Sequence, residues 1–203
     1  MPAPAKSMGK TAKDELIEYF SLEDVGKSAA VFNPEKLLWL NSQYIKNSQS
    51  GRLVELVMPF LRKEGIILKD QILDNVWLSK AIDTLRERAK TLLELAHSLK
   101  FYIAEDIAYD EKAKTKFLNE KYLPYLIDVK EELSRLDNFV SPEIENVFGS
   151  LVAKHNIKLG NLAQPVRVAV TGKAESPGIF EVLEILGREK TLKRLEKAIE
   201  IVG

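Results

Sequence analysis

The chain has 203 residues, 45% of them hydrophobic and 30% charged, enough for one large domain or two small ones with cores of their own. Lys plus Arg total 30 and Asp plus Glu total 30, so no bulk charge marks a nucleic-acid coat, and a polyanion would have to be met by local basic patches. Cysteine is absent, which excludes disulfides, thiol nucleophiles and cysteine-ligated zinc and fits a reducing cytoplasm. No apolar run approaches the roughly 18–20 residues that cross a bilayer, and the start Met1–Ser7 lacks the hydrophobic segment of a signal peptide. A cytoplasmic protein without a membrane partner is expected.

Residues 1–13 mix Pro, Ala, Gly, Ser and Lys without periodicity and read as a flexible leader. From Asp14 onward helical spacing takes over: Leu16, Tyr19 and Phe20, then Leu37, Leu40 and Ile45, then Leu53, Leu56, Val57, Phe60 and Leu61 recur at steps of three and four. Short amphipathic helices follow from it. The series Leu78, Ile82, Leu85, Ala89, Leu92, Ala96, Leu99, Ile103 runs without Gly or Pro and predicts one long helix with a single buried seam. The acidic and aromatic stretch from Phe101 to Asp110 breaks that rhythm and is the expected elbow between two helical subdomains.

Beyond it, helices are predicted over Glu111–Leu118, Tyr122–Leu136, Pro142–His155 and Pro165–Val170, and through Ile179 to Ile199. Ser141-Pro142 and Ser176-Pro177 each read as a cap followed by a first-turn proline. Val166–Val170 alternates like a strand, but its proline start and Gly172 stop favour a short helix. The expected fold is all-α.

Catalytic chemistry is hard to find in this pattern. Gly9-Lys10-Thr11 resembles the end of a phosphate-binding loop, yet Pro4 stands where its first glycine belongs and no strand precedes it. His97 and His155 have no metal-ligand spacing, and Glu105, Asp106, Asp110 and Glu111 read as helix capping. No catalytic residue and no metal site are assigned.

Two segments carry more. Phe32-Asn-Pro-Glu-Lys-Leu-Leu-Trp-Leu-Asn41, with Tyr44-Ile45-Lys46, crowds Lys36, Trp39 and Lys46 into less than four turns, where they serve either a phosphate backbone and a base face or plain helix packing. Lys158–Gly172, continuing through Glu175-Ser-Pro-Gly-Ile-Phe-Glu181, promises two proline-started helices whose free N–H groups lie near Arg167. Capping alone accounts equally well for the second segment.

Both segments resemble the C-terminal, anticodon-binding region of bacterial glutamyl-tRNA synthetase, a class I aminoacyl-tRNA ligase, which is usually written with Asp where Asn33 stands. Gln164-Pro-Val-Arg, Thr171-Gly172, Ser176-Pro-Gly-Ile-Phe-Glu and Leu183-Glu-Ile-Leu-Gly187 are similar to its terminal signature, and the likeness spans roughly Glu15 to Val202. The resemblance implies two consecutive helical bundles of the α-helix cage type. The expected order is a linker and stem-contacting segment over 14–50, a first subdomain over 51–104 and a second over 105–203. It implies that Arg88, or Arg86 in a shifted register, reads the third anticodon base. Arg167 would contact the middle base, Ser176, Pro177 and Ile179 would meet the first, and Lys36, Trp39 and Lys46 would approach the backbone below. The expected partner is tRNA of the glutamate isoacceptors, bound by a monomer with a catalytic domain in cis. The ATP-site signatures His-Ile-Gly-His and Lys-Met-Ser-Lys-Ser have no counterpart, Lys6-Ser-Met-Gly-Lys10 being only a distant echo of the second. ATP and Mg2+ are therefore expected of a full-length parent, with no cofactor for this chain. The alternative is a freestanding all-α protein-interaction module derived from the same fold.

Overall fold

The computed structural model describes residues 17, 18, 20, 21 and 32–203. The expected leader, the Gly9-Lys10-Thr11 and Lys6–Lys10 matches and most of the first expected helix lie outside these residues. Ten helices and no strand occur among the described residues from Asn33 onward, as an all-α reading requires. They are α1 (Pro34–Asn47), α2 (Ser50–Lys63), α3 (Asn75–Leu85), α4 (Leu92–Ile103), α5 (Glu111–Phe117), α6 (Leu123–Ser134), α7 (Ser141–His155), α8 (Leu159–Thr171), α9 (Ile179–Leu186) and α10 (Arg188–Val202).

Local chemistry sets the starts. Asn33 caps α1 by accepting from Lys36 N at 3.1 Å, with Pro34 in the first turn. Asp74 caps α3, and Asp110 caps α5 by accepting from Ala113 N at 2.8 Å, as its acidic context suggests. Glu105 and Asp106 do not cap: they pair with Lys190, Lys193 and Lys197 on α10. Ser141 is the first residue of α7 rather than its cap, and its N–H donates to the Glu184 carboxylate at 2.8 Å.

The long helix predicted over residues 78–103 is two helices. α3 ends at Leu85, Arg86–Arg88 form one 3-10 turn, and Ala89 is extended at φ −89°, ψ 132°. The chain restarts because Thr91 accepts from Glu94 N at 3.1 Å while the Glu94 carboxylate accepts from Lys90 N at 2.8 Å, a reciprocal cap that a continuous helix cannot make. The hydrophobic seam survives the break. Leu78, Ile82, Leu85, Ala89, Ala96 and Leu99 are all buried, each full leucine burial being worth about 1.5–3 kcal/mol.

α8 also differs from expectation. It starts at Leu159, so Pro165 lies inside it, and all of residues 165–171 except Arg167 are buried. A helix apolar nearly all round loses the one-sided pattern of an amphipathic helix, which is why Val166–Val170 mimics a strand. Ser176-Pro177 precedes α9 without capping it; Gly178 is the N-cap.

α2 packs against α3 and α4, α6 against α7 and α10, and α8 against α5, α7 and α10. α9 bridges the two groups by resting on α3, where the Trp77 indole N–H donates to the Ile185 carbonyl at 2.8 Å. The elbow expected after Phe101 begins past Ile103 and is clamped by α10. Arg194, 3% exposed, donates to the Val170 and Ala104 carbonyls, both at 2.6 Å. Burial pushes its guanidinium down to about 10, against the pull of Glu105, Tyr109 and Asp106. Lys190 donates to the Tyr102 and Ile103 carbonyls, both at 3.2 Å, closing the C-terminus of α4.

Candidate nucleic-acid interface

A groove of about 480 Å³ opens where the break between α3 and α4, the outer stripe of α4, the 104–108 linker, the end of α8 and the 173–177 turn meet. Arg88 stands at its edge, exposed on the 3-10 turn. The break itself puts it there: in an uninterrupted helix Arg88 would sit beside the seam, whereas the tight turn projects it into the opening. Arg86, the alternative reader, is turned away and tied down, donating to the Lys46 carbonyl and to Asp83 at 2.9 Å.

Arg167 lies outside the groove lining but comes from α8 to brace its wall. One of its terminal nitrogens donates to Ser176 Oγ and, at 2.6 Å, to the Pro177 carbonyl, and both residues line the groove. Its pKa is lowered first by burial and then by the positive charge of Arg88. Two guanidinium groups in mutual repulsion form a site that an acceptor-rich or anionic ligand relieves. Gly172 makes the approach possible: its φ of +77° turns the chain out of α8, and a Cβ there would collide with the Ala108 carbonyl oxygen of the opposite wall.

The other expected residues fall elsewhere. Ile179 is buried at the start of α9, so its side chain belongs to the core and has no face to offer a base. Lys36 and Trp39 are exposed on α1, outside the groove, and Lys46 is engaged by Glu87 at 3.2 Å. α1 supports the Arg88 turn from behind, with Asn41 donating to the Lys90 carbonyl at 2.6 Å. Sequence reasoning missed Lys100, Phe101 and Lys173, which line the groove, and His97, whose ring nitrogen lies 2.9 Å from Glu64 at its margin. A signal existed: positions 97, 100, 101 and 104 follow one helical stripe opposite the buried Leu95, Leu99 and Tyr102. Among the described residues, no group of three or more His, Asp or Glu side chains is placed to hold a metal ion. No helix among the described residues is long and apolar enough to cross a membrane.

An all-α frame with an open groove edged by unpaired arginine and lysine defines a binding module for an acceptor-rich ligand. Residues 52–199 match the family model for an anticodon binding domain, and the chain belongs to that family. A glutamate–tRNA ligase of Thermodesulfovibrio yellowstonii is 50% identical over 188 residues, covering 93% of this chain and 40% of the relative. One from Geotalea uraniireducens is 44% identical, covering 94% and 40% respectively. The chain thus spans about 40% of the length of the curated relatives it matches. The crystal structure of a glutamate tRNA ligase from Elizabethkingia meningosepticum in complex with its amino acid is similar with a TM-score of 0.84 at 26% identity, over 94% of this chain and 37% of that one.

Proposed function

We propose that this chain is the anticodon-binding module of a glutamate–tRNA ligase, which recognises the anticodon loop of glutamate tRNA and positions it for glutamylation by a catalytic domain outside the chain. The observation that carries this reading is the placement of Arg88, Ser176 and Pro177 on one groove, with Arg167 bonded from α8 to the latter two. Arg88 presents a planar fork of donors to the Watson–Crick edge of an unstacked base, and Arg167 and the Ser176 hydroxyl meet the neighbouring bases. Each such contact is worth about 1–3 kcal/mol, so several must act together. Lys36 and Trp39 on the outer face of α1 meet the backbone of the stem. Residues 51–104 and 105–203 act as consecutive bundles behind an initial segment, in a cytoplasmic monomer. ATP and Mg2+ serve the ligase reaction in the catalytic domain.

Binding of the purified chain to glutamate tRNA and to a version altered at the third anticodon base tests this. The intact tRNA is expected to bind roughly tenfold or more tightly, Arg88→Gln to erase most of that difference, and Lys36→Ala to weaken both RNAs alike while reducing the salt slope by about 1. Equal retention of the two RNAs by the unmutated chain would remove the recognition claim and leave a protein-interaction module as the better reading.

A further inference from the structure

α5 and the 3-10 turn after it, Glu120–Tyr122, carry a cluster of cations that the groove does not use. Lys112, Lys116 and Lys121 are exposed, Lys114 is half-buried, and none has a carboxylate of a described residue within 4.0 Å. Only Glu111 and Glu120 oppose these four lysines within the segment. Beside them runs a chain of half-buried rings: Phe117 to Tyr122 at 6.1 Å between centroids, Tyr122 to Tyr125 at 6.3 Å and Tyr125 to His155 at 4.9 Å. Lys116 Nζ stands 5.2 Å from the centre of Phe117, and Lys121 Nζ stands 5.1 Å from that of Tyr122. Asp128, at the far end of the ring chain, is already engaged by Lys154 and His155, each at 2.7 Å.

This ridge begins at the rim of the groove. Asp110 N–H donates to the Gly172 carbonyl at 2.8 Å, and Ala108, Thr171 and Lys173 on either side of that bond line the groove. The seven residues of α5 carry the ridge roughly 10 Å onward. Unpaired ammonium groups suit any polyanion, but the half-buried rings beside them narrow the choice, because splayed bases stack on aromatic rings and a duplex offers no free base face.

We propose that Lys112, Lys116 and Lys121, with Phe117 and Tyr122, form a second RNA-contact surface that receives unpaired nucleotides flanking those held in the groove. The lysines take the phosphates, and the rings take a base. The assignment rests on the anticodon reading of the groove, since the strand that reaches the ridge is the one leaving it.

The test is a salt titration of the full chain with an anticodon stem-loop of glutamate tRNA, comparing it with the Lys112→Gln/Lys116→Gln/Lys121→Gln variant. Three single-strand phosphate contacts contribute about 2 to the slope of log affinity against log salt, so between 50 and 200 mM salt the unmutated chain is expected to lose about 20-fold more affinity than the variant. Discrimination at the third anticodon base stays unchanged in the variant, and 5-iodouridine next to the anticodon cross-links to Phe117 or Tyr122. An unchanged slope, or cross-links confined to groove residues, overturns the ridge while leaving the groove reading intact. Loss of base discrimination by the unmutated chain, by contrast, overturns the groove reading. The substituted lysines are exposed, and an unaltered thermal melt of the variant establishes that its fold is intact.

Discussion

Arg167 holds a brace as well as a charge. Its bonds to Ser176 and to the Pro177 carbonyl join the middle of α8 to the turn that walls the groove, so the group proposed to meet the RNA also shapes the surface beside it. Charge-assisted bonds of this kind are worth about 1.5–3 kcal/mol each. Arg167→Lys keeps the positive charge but lacks the planar fork. It should speed amide exchange across residues 173–178 by about tenfold or more and weaken binding of every RNA that uses the groove. Hydrogen exchange with mass-spectrometric readout checks it, and unchanged protection of the turn would show that the brace is dispensable. Ile179 makes the complementary point. It follows the Ser-Pro-Gly turn in sequence, yet the helix that begins there rotates its side chain into the core.

At the scale of single elements, breaks and turns decide where functional groups point. The interruption between α3 and α4 could have been found in Thr91-Leu-Leu-Glu94, a capping-box pattern, but apolar spacing ran through it unbroken and masked it. Gly172 ends α8 in the left-handed region, with its would-be Cβ against the Ala108 carbonyl. Gly172→Ala should cost at least about 2 kcal/mol and lower the melting temperature by roughly 4–8 °C or more. Gly149→Ala should instead be neutral or stabilise by up to about 1 kcal/mol, because it lies mid-helix in α7 with nothing within 4 Å of an added Cβ. Thermal denaturation of the two variants distinguishes a conformational requirement from a general cost of side-chain addition.

Across the whole molecule, α10 ties the 104–110 linker to both helix groups with cations. Lys190 and Lys197 hold the carboxyls of Glu105 and Asp106 below their usual range, and a hydrogen bond from Lys154 does the same for Asp128 between α6 and α7. A carboxyl with a lowered pKa in the folded state contributes stability that is present above its unfolded value, near 4, and is lost as pH falls through the folded value. The melting temperature should therefore be nearly flat from about pH 8 to 5 with respect to these groups and fall below about pH 4. Asp128→Asn should lower it at pH 7 and shrink the acid-induced drop. A pH series of melts on both proteins measures this; an identical drop in the variant would mean that Asp128 is not among the groups responsible.

Helix content and the buried seam from Leu78 to Leu99 were legible in the amino-acid order, because periodicity and turn chemistry are local properties, whereas of the groove lining only Arg88, Ser176 and Pro177 were assigned a binding role from sequence. The convergence of Arg88 with Arg167 was not legible. It depends on α9 resting against α3 and on Arg194 and Lys190 fastening the linker, contacts between residues far apart in the chain that local spacing does not encode. Exposure was likewise a tertiary outcome: Lys36 and Ile179 both stand in matching motifs, but only packing determines that one faces solvent and the other is enclosed.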